Sequence, residues 1–288
     1  MIRIAIKKRL NGQIEPINLD IDVRIQPGNI IVLYGDSGAG KTSILRMIAG
    51  LMQPDSGKIE TFGKIWFSKT NKMDIKIQER ELGFVFQDYS LFPNMTVEEN
   101  LAFAQADKGN TNELNETLEL IEMKDLRNTY PDRLSGGQKQ RVALARTLLS
   151  KSKIVLLDEA FSSLDDTIKS KLVKHLSKTF KELNTTVIFT SHDIAEIFAL
   201  ADIVCHLKDG KIIKKAPPSE VFLPKSKTDN INQQIGIVVS LNDKWKASVL
   251  VSNNVIELEL KEEEFLNLEI GQKVILSTSS HKLESIKG

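Results

Sequence analysis

The chain has 288 residues, 41% of them hydrophobic and 27% charged, enough to bury one large core and a smaller second one. A net charge of +1 points to neither nucleic acid nor an anionic membrane surface as a partner. The single Cys205 leaves no intrachain disulfide to form, which suits a reducing compartment, and it reads as a small buried hydrophobe.

Met1 to Gln13 carries Lys7, Lys8 and Arg9 with no long apolar stretch behind them, so no signal peptide is expected. No window approaches the ~20 apolar residues of a membrane span. If the protein serves transport, another chain supplies the pore. Ile2, Ile4 and Ile6, then Ile17, Leu19, Ile21, Val23 and Ile25, recur with a period of two, as in half-buried antiparallel strands. The texture then changes to continuous apolar runs at 30–33, 154–157 and 187–189, which suit strands covered on both faces in a parallel sheet flanked by helices.

Directly after the first of these runs comes Gly35-Asp36-Ser37-Gly38-Ala39-Gly40-Lys41-Thr42-Ser43, with a helix expected over 42–50. Strand, glycine-rich loop and helix together make a phosphate cradle. The glycines let backbone N–H groups turn inward, and the helix N-terminus adds positive partial charge. Lys41 supplies a full charge, and the Thr42 hydroxyl is a ligand for Mg²⁺. Between Asp88 and Leu134 the sequence turns helical, with Leu114, Leu118 and Ile121 on one face and Asn110-Thr111 as a cap. Ser135-Gly136-Gly137-Gln138 opens a further helix to about Ser150, and its free N–H groups form a second anion site.

The run 154–157 delivers Asp158-Glu159 at its C-terminal end, where a parallel sheet meets its ligand. Asp158 would hold Mg²⁺ through water, and Glu159 would polarise an attacking water as general base. The run 187–189 leads into Thr190-Ser191-His192-Asp193. Pro217-Pro218, Pro224 and the polar stretch 225–232 then punctuate the chain, and a domain boundary is placed near residue 230. Beyond it, 237–241, 247–251, 256–260 and 274–277 read as strands, with Ser252-Asn253-Asn254 as a turn. Residues 231–288 are expected to form a small β barrel or sandwich. A domain of about 55 residues is marginal alone.

Taken in order, the 35–43 loop, Gly83-Phe84-Val85-Phe86-Gln87, the run 134–146, Asp158-Glu159, Ser162-Ser163-Leu164-Asp165 and His192 resemble the ATP-binding-cassette (ABC) ATPases over about residues 1–225. The resemblance implies a P-loop α/β fold over 1–230, with a mixed sheet, an antiparallel β subdomain and a helical subdomain at about 88–150. It implies ATP and Mg²⁺ as cofactors, with Thr42, Gln87 and Asp158 toward the metal. Gln87 would sense Mg²⁺ and the attacking water, and His192 would touch the γ-phosphate. It also explains two phosphate-binding elements against one ATP cradle. The Ser135–Gln138 signature loop of one subunit closes on the ATP held by a second copy, and the D-loop with Asp165 passes between the two sites. One departure is that no aromatic residue stands near Arg9–Asn11 to stack on adenine; Arg9 or Leu10 would cover the ring instead.

Within the family, no long insertion separates Lys41 from Asp158, against the DNA-repair type, and a single cassette argues against the translation-factor type. The β tail is similar to the small regulatory (TOBE or Mop) domains of importer ATPases. The resemblance is to molybdate importer ATPases, with sulfate, tungstate, iron(III) and polyamine importers as alternatives, although the Ser-Ala-Arg-Asn run common in oxyanion-binding Mop domains is missing. The implied partners are integral-membrane permease subunits and, indirectly, a substrate-binding protein, but no nucleic acid. The implied location is peripheral, on the cytoplasmic face of the cell membrane. Residues after Gln87, including Tyr89, Leu91 and Phe92, would dock a permease helix. Ser277, Thr278, Ser279, Ser280 and Lys282 are the candidate oxyanion donors in the tail.

Overall fold

The computed structural model describes residues 1–11, 16–222, 233–242, 245–251, 254–266, 268, 272–277 and 282–285. The chain divides into two compact units, Met1–Pro217 and Pro218–Gly288.

The first unit begins with β1 (Ile2–Leu10) and β2 (Ile17–Ile25), paired antiparallel with Ile2 opposite Ile25. Ile2, Ile4, Ile6, Leu19, Ile21, Val23 and Ile25 are buried, so the period of two in the sequence is the alternation of a one-sided sheet. β3 (Ile30–Gly35) leads into α1 (Lys41–Ala49), followed by the antiparallel β4 (Ser56–Thr61), β5 (Lys64–Ser68) and β6 (Met73–Asp74). β7 (Leu82–Val85) precedes three helices, α2 (Val97–Ala104), α3 (Thr111–Leu120) and α4 (Gly136–Leu149). Each of these helices has a side-chain N-cap, from Thr96, Asn110 and Ser135 respectively. The unit continues with β8 (Ile154–Asp158), α5 (Asp166–Glu182), β9 (Thr186–Thr190), α6 (Ile194–Leu200), β10 (Ile203–Lys208) and β11 (Lys211–Ala216).

These strands form one sheet in the order β6-β5-β4-β1-β2-β11-β10-β3-β9-β8-β7. From β10 to β7 the pairing is parallel. Every residue of β8 and β9 is buried, as their unbroken apolar runs require of strands covered on both faces. Because β3, β9, β8 and β7 run in the same direction, Gly35, Thr190, Asp158 and Val85 all end at one edge of the sheet. That edge is where the functional loops emerge.

The second unit contains α7 (Pro218–Phe222), β12 (Gln233–Asn242), β13 (Lys246–Val251), β14 (Asn254–Glu259), α8 (Glu262–Phe265), β15 (Lys273–Ser277) and β16 (Lys282–Ser285). Its sheet is antiparallel, in the order β14-β13-β12-β15-β16. Val238, Ala247, Val249, Val251, Val274 and Leu276 build its core. Ile256, which alternation puts on the inner face with Leu258, is exposed, because β14 is an edge strand. The turn at Ser252-Asn253 and the candidate donors Thr278, Ser279 and Ser280 lie outside the described residues. No described helix is long and apolar enough to cross a membrane.

Candidate active site

The loop between β3 and α1 is a cradle that needs glycine at two of its positions. Gly38 and Gly40 have φ of 80° and 93°, left-handed values that disfavour any side chain. A Cβ on Gly40 would also lie 2.7 Å from Leu19 Cδ2. Lys41 is buried, and its ammonium donates to the carbonyls of Gly35 and Asp36, each at 2.8 Å. Burial pushes the Lys41 pKa down, with Glu159, Asp36 and Asp158 acting in the opposite sense. One ammonium therefore faces three carboxylates. Asp36, Ser37 and Gly38 are exposed, with Ala39, Thr42 and Ser43 half-buried around them.

The carboxylates come from the end of β8. Asp158 Oδ1 accepts from Thr42 Oγ1 at 2.9 Å and from Thr190 Oγ1 at 3.0 Å, so it joins the α1 end of the cradle to β9. Thr190 Oγ1 also accepts the Glu159 N–H at 2.9 Å. Glu159 has φ of 49°, a left-handed conformation that a non-glycine residue keeps only when its surroundings enforce it. Its carboxylate stands between two loops. His192 Nε2 lies 3.4 Å from Oε1, and Gln87 Nε2 donates to Oε2 at 3.5 Å, the outer limit of a hydrogen bond. Thus Lys41, Thr42, Gln87, Asp158, Glu159 and His192, spread over the sequence, meet at one edge of the sheet.

The His192 loop is braced from behind. Ser191 Oγ donates to Glu196 Oε2 at 2.6 Å, Asp193 caps α6, and Lys169 on α5 pairs with Asp193 at 3.0 Å and Glu196 at 3.2 Å. Burial pushes the Glu196 pKa up. Asp165 accepts from the Ile168 N–H at 3.0 Å and so serves as the N-cap of α5.

The signature residues sit at the start of α4. Ser135 and Gln138 form a reciprocal capping box, with the Ser135 N–H bonded to Gln138 Oε1 at 2.8 Å. Ser135 and Gly136 are exposed. Among the described residues, none of Ser135, Gly136, Gly137 and Gln138 bonds to the phosphate loop of its own chain. Tyr89, Leu91 and Phe92 are half-buried. Phe92 stacks under the Arg146 guanidinium at 4.7 Å and edge-on to Phe103, which is 56% exposed. Buried Asn100 fixes this segment through bonds to Phe92, Met95 and Thr96.

Three contributors had no distinguishing mark in the sequence. Gln140 bridges α4 to the 159–163 turn, and Thr190 is a strand-end hydroxyl whose role depends on which strands flank it. Arg80, 1% exposed, donates to the carbonyls of Met47 and Ile48 at the end of α1 and pairs with Asp74.

A family model described as ABC transporter matches residues 19–162. The chain is 40% identical over 206 residues to a probable sulfate/thiosulfate import ATP-binding protein of Chlorella vulgaris, covering 70% of this chain and 85% of that one. It is 39% identical over 208 residues to the sulfate/thiosulfate import ATP-binding protein of Synechococcus elongatus, of which the match spans 59%. A molybdenum import ATP-binding protein of Paramagnetospirillum magneticum is 34% identical over 232 residues, or 77% of this chain and 64% of that one. Among solved structures, a dimeric ATP-binding cassette in a post-hydrolysis state bound to ADP and Pi superposes with a TM-score of 0.65 at 28% identity, over 76% of this chain and 99% of that one. With the cradle, the carboxylate-bearing strand end and the cassette sheet all in one unit, the chain belongs to the ABC transporter family.

Proposed function

We propose that the chain is the ATP-hydrolysing subunit of a membrane importer for a tetrahedral oxyanion, and that it works as a dimer on the cytoplasmic face of the membrane. The observation that carries the proposal is the Glu159 carboxylate, held between Gln87 and His192 beside the Lys41 cradle. Glu159 takes the proton of the attacking water, Gln87 and His192 set the direction of its carboxylate, and Lys41 faces the phosphates. In this reading Lys41 exchanges its carbonyl partners, Gly35 and Asp36, for phosphate oxygens as ATP enters. The exposed Ser135 loop serves the nucleotide of a second copy, which accounts for a phosphate-binding helix end that its own cradle leaves unused.

The residues present fit Mg²⁺. A hydroxyl and a carboxylate, Thr42 Oγ1 and Asp158 Oδ1, lie 2.9 Å apart beside a site with three carboxylates and one ammonium. Mg²⁺ is typically held by one or two protein oxygens together with phosphates and water. When bound, it would neutralise charge developing on the phosphates. Thr42 and Asp158 would hold it, with Gln87 toward it.

The sulfate/thiosulfate relatives favour sulfate or thiosulfate as cargo. The molybdenum relative, matched over a longer stretch, supports molybdate as the second reading. Permease subunits supply the membrane path, delivered to by a substrate-binding protein. The segment after Gln87, fixed by Asn100 and Arg146, is the platform for a permease helix. The test is uptake of labelled sulfate and of molybdate by cells lacking this chain, restored with the wild type or with Glu159→Gln. Sulfate uptake restored by the wild type alone is expected. Restoration of molybdate uptake alone moves the cargo to the second reading. Restoration by Glu159→Gln equal to the wild type would overturn the assignment of the base.

A further inference from the structure

Gln140 lies in the second turn of α4 and is 2% exposed. Its carboxamide is used at both ends. Nε2 donates to the Glu159 carbonyl at 3.2 Å, and Oε1 accepts the Ser163 N–H at 2.8 Å. Both partners are main-chain groups, so the bridge fixes the backbone path of the 159–163 turn. Neither amide atom can be exchanged for the other without losing both bonds.

The opposite side of Glu159 is held by Thr190, which accepts its N–H at 2.9 Å. The left-handed Glu159 backbone is therefore clamped from outside its turn by two side chains, one from β9 and one from α4, while Ser162 Oγ within the turn also donates to its carbonyl at 3.0 Å. The same helix approaches the D-loop through Gly137, where an added Cβ would lie 2.7 Å from the Ser163 carbonyl oxygen. Ser163 Oγ in turn meets Tyr89 Oη at 2.8 Å. Three loops of the site thus converge on the turn that carries Glu159. Close packing and satisfied buried amides transmit displacement rather than absorb it.

We propose that Gln140 is a positioning residue. It carries the seating of the signature helix into the backbone of Glu159 and Ser163 of the same chain, so that Glu159 is aimed only when its own α4 is in place. The inference rests on the reading that the Ser135 loop serves the partner's nucleotide. The tip of α4 then acts across the dimer, while Gln140 acts within its own chain, and one helix reports the partner's nucleotide to its own general base.

Gln140→Met keeps length and burial but removes both bonds. The expected result in the full chain is a kcat lowered tenfold or more, with KM for ATP within twofold of wild type. An unchanged kcat overturns the proposal. Gln140→Asn, too short to span both partners, provides the same reading if the Met variant fails to fold. Mixed dimers then separate positioning from damage to the signature helix. Paired with Ser135→Arg, the Gln140→Met chain should retain hydrolysis, because the surviving site uses the partner's correctly aimed Glu159. Paired with Lys41→Ala it should show none, because the one loaded site carries the misaimed base. The reverse pattern means the substitution has spoiled α4 itself, and overturns the proposal. A control pair of Ser135→Arg with Lys41→Ala tests the trans reading separately; if that pair is inactive, the homodimer kcat decides for Gln140.

Discussion

Glu159 and Arg80 show two ways in which a single side chain can be demanded by its neighbours. The left-handed Glu159 is expensive locally, and the bonds at its N–H and carbonyl hold it in place. Arg80 is demanded by unfilled carbonyls. The last turn of α1 leaves the Met47 oxygen with only the Gly50 cap N–H, and the guanidinium donates to it and to the Ile48 oxygen while Asp74 balances its charge. Arg80→Met should therefore cost about 2–4 kcal/mol of stability, since it strands buried acceptors. Urea unfolding checks this, and a loss under about 1 kcal/mol would show that water replaces the guanidinium. Arg80→Lys should be nearly as damaging, because an ammonium cannot reproduce a planar fork of donors. At His192 the outcome should differ in kind. His192→Ala leaves a half-exposed loop braced by Lys169 and Asp193, so it should lower kcat more than tenfold with little change in melting temperature.

At the scale of elements, α4 is the instructive case. Gly137 lies in its first turn, where helix propensity favours alanine over glycine by up to about 1 kcal/mol. Yet the added Cβ would meet a backbone oxygen of the D-loop, which cannot swing aside as a side chain can. Gly137→Ala should therefore lower the melting temperature despite the gain in helix propensity, and lower ATP turnover more than tenfold; wild-type turnover and stability would contradict the close approach. Much of the element plan was legible in the sequence. Period-two alternation marked β1 and β2, unbroken apolar runs marked β3, β8 and β9, and Asn110 marked the start of α3. What was not legible was adjacency. That β9 lies between β3 and β8 follows from pairing far apart in sequence, and only that order makes Thr190 the hinge between Asp158 and Glu159. Gln140, similarly, is one more polar residue on a helix until the fold brings the 159–163 turn against it.

At the scale of the whole molecule, the first unit contains every residue of the candidate site, and the second has its own sheet and core. A chain ending at residue 230 should keep basal ATP hydrolysis within about twofold, because no nucleotide motif of the sequence falls beyond it. Loss of all basal activity would make the tail structural, and an unchanged response to molybdate or sulfate in the permease complex would remove it as an oxyanion sensor. The proposed function makes Glu159 the base of an ATPase whose site is completed by a second copy of the chain. The most direct measurement is light scattering of the full-length Glu159→Gln protein with Mg²⁺ and ATP, followed by identification of the nucleotide that elutes with it. The expected result is a stable dimer carrying two molecules of uncleaved ATP, formed only when ATP is present. A protein that stays monomeric with ATP bound, or that returns ADP at the wild-type rate, would contradict it.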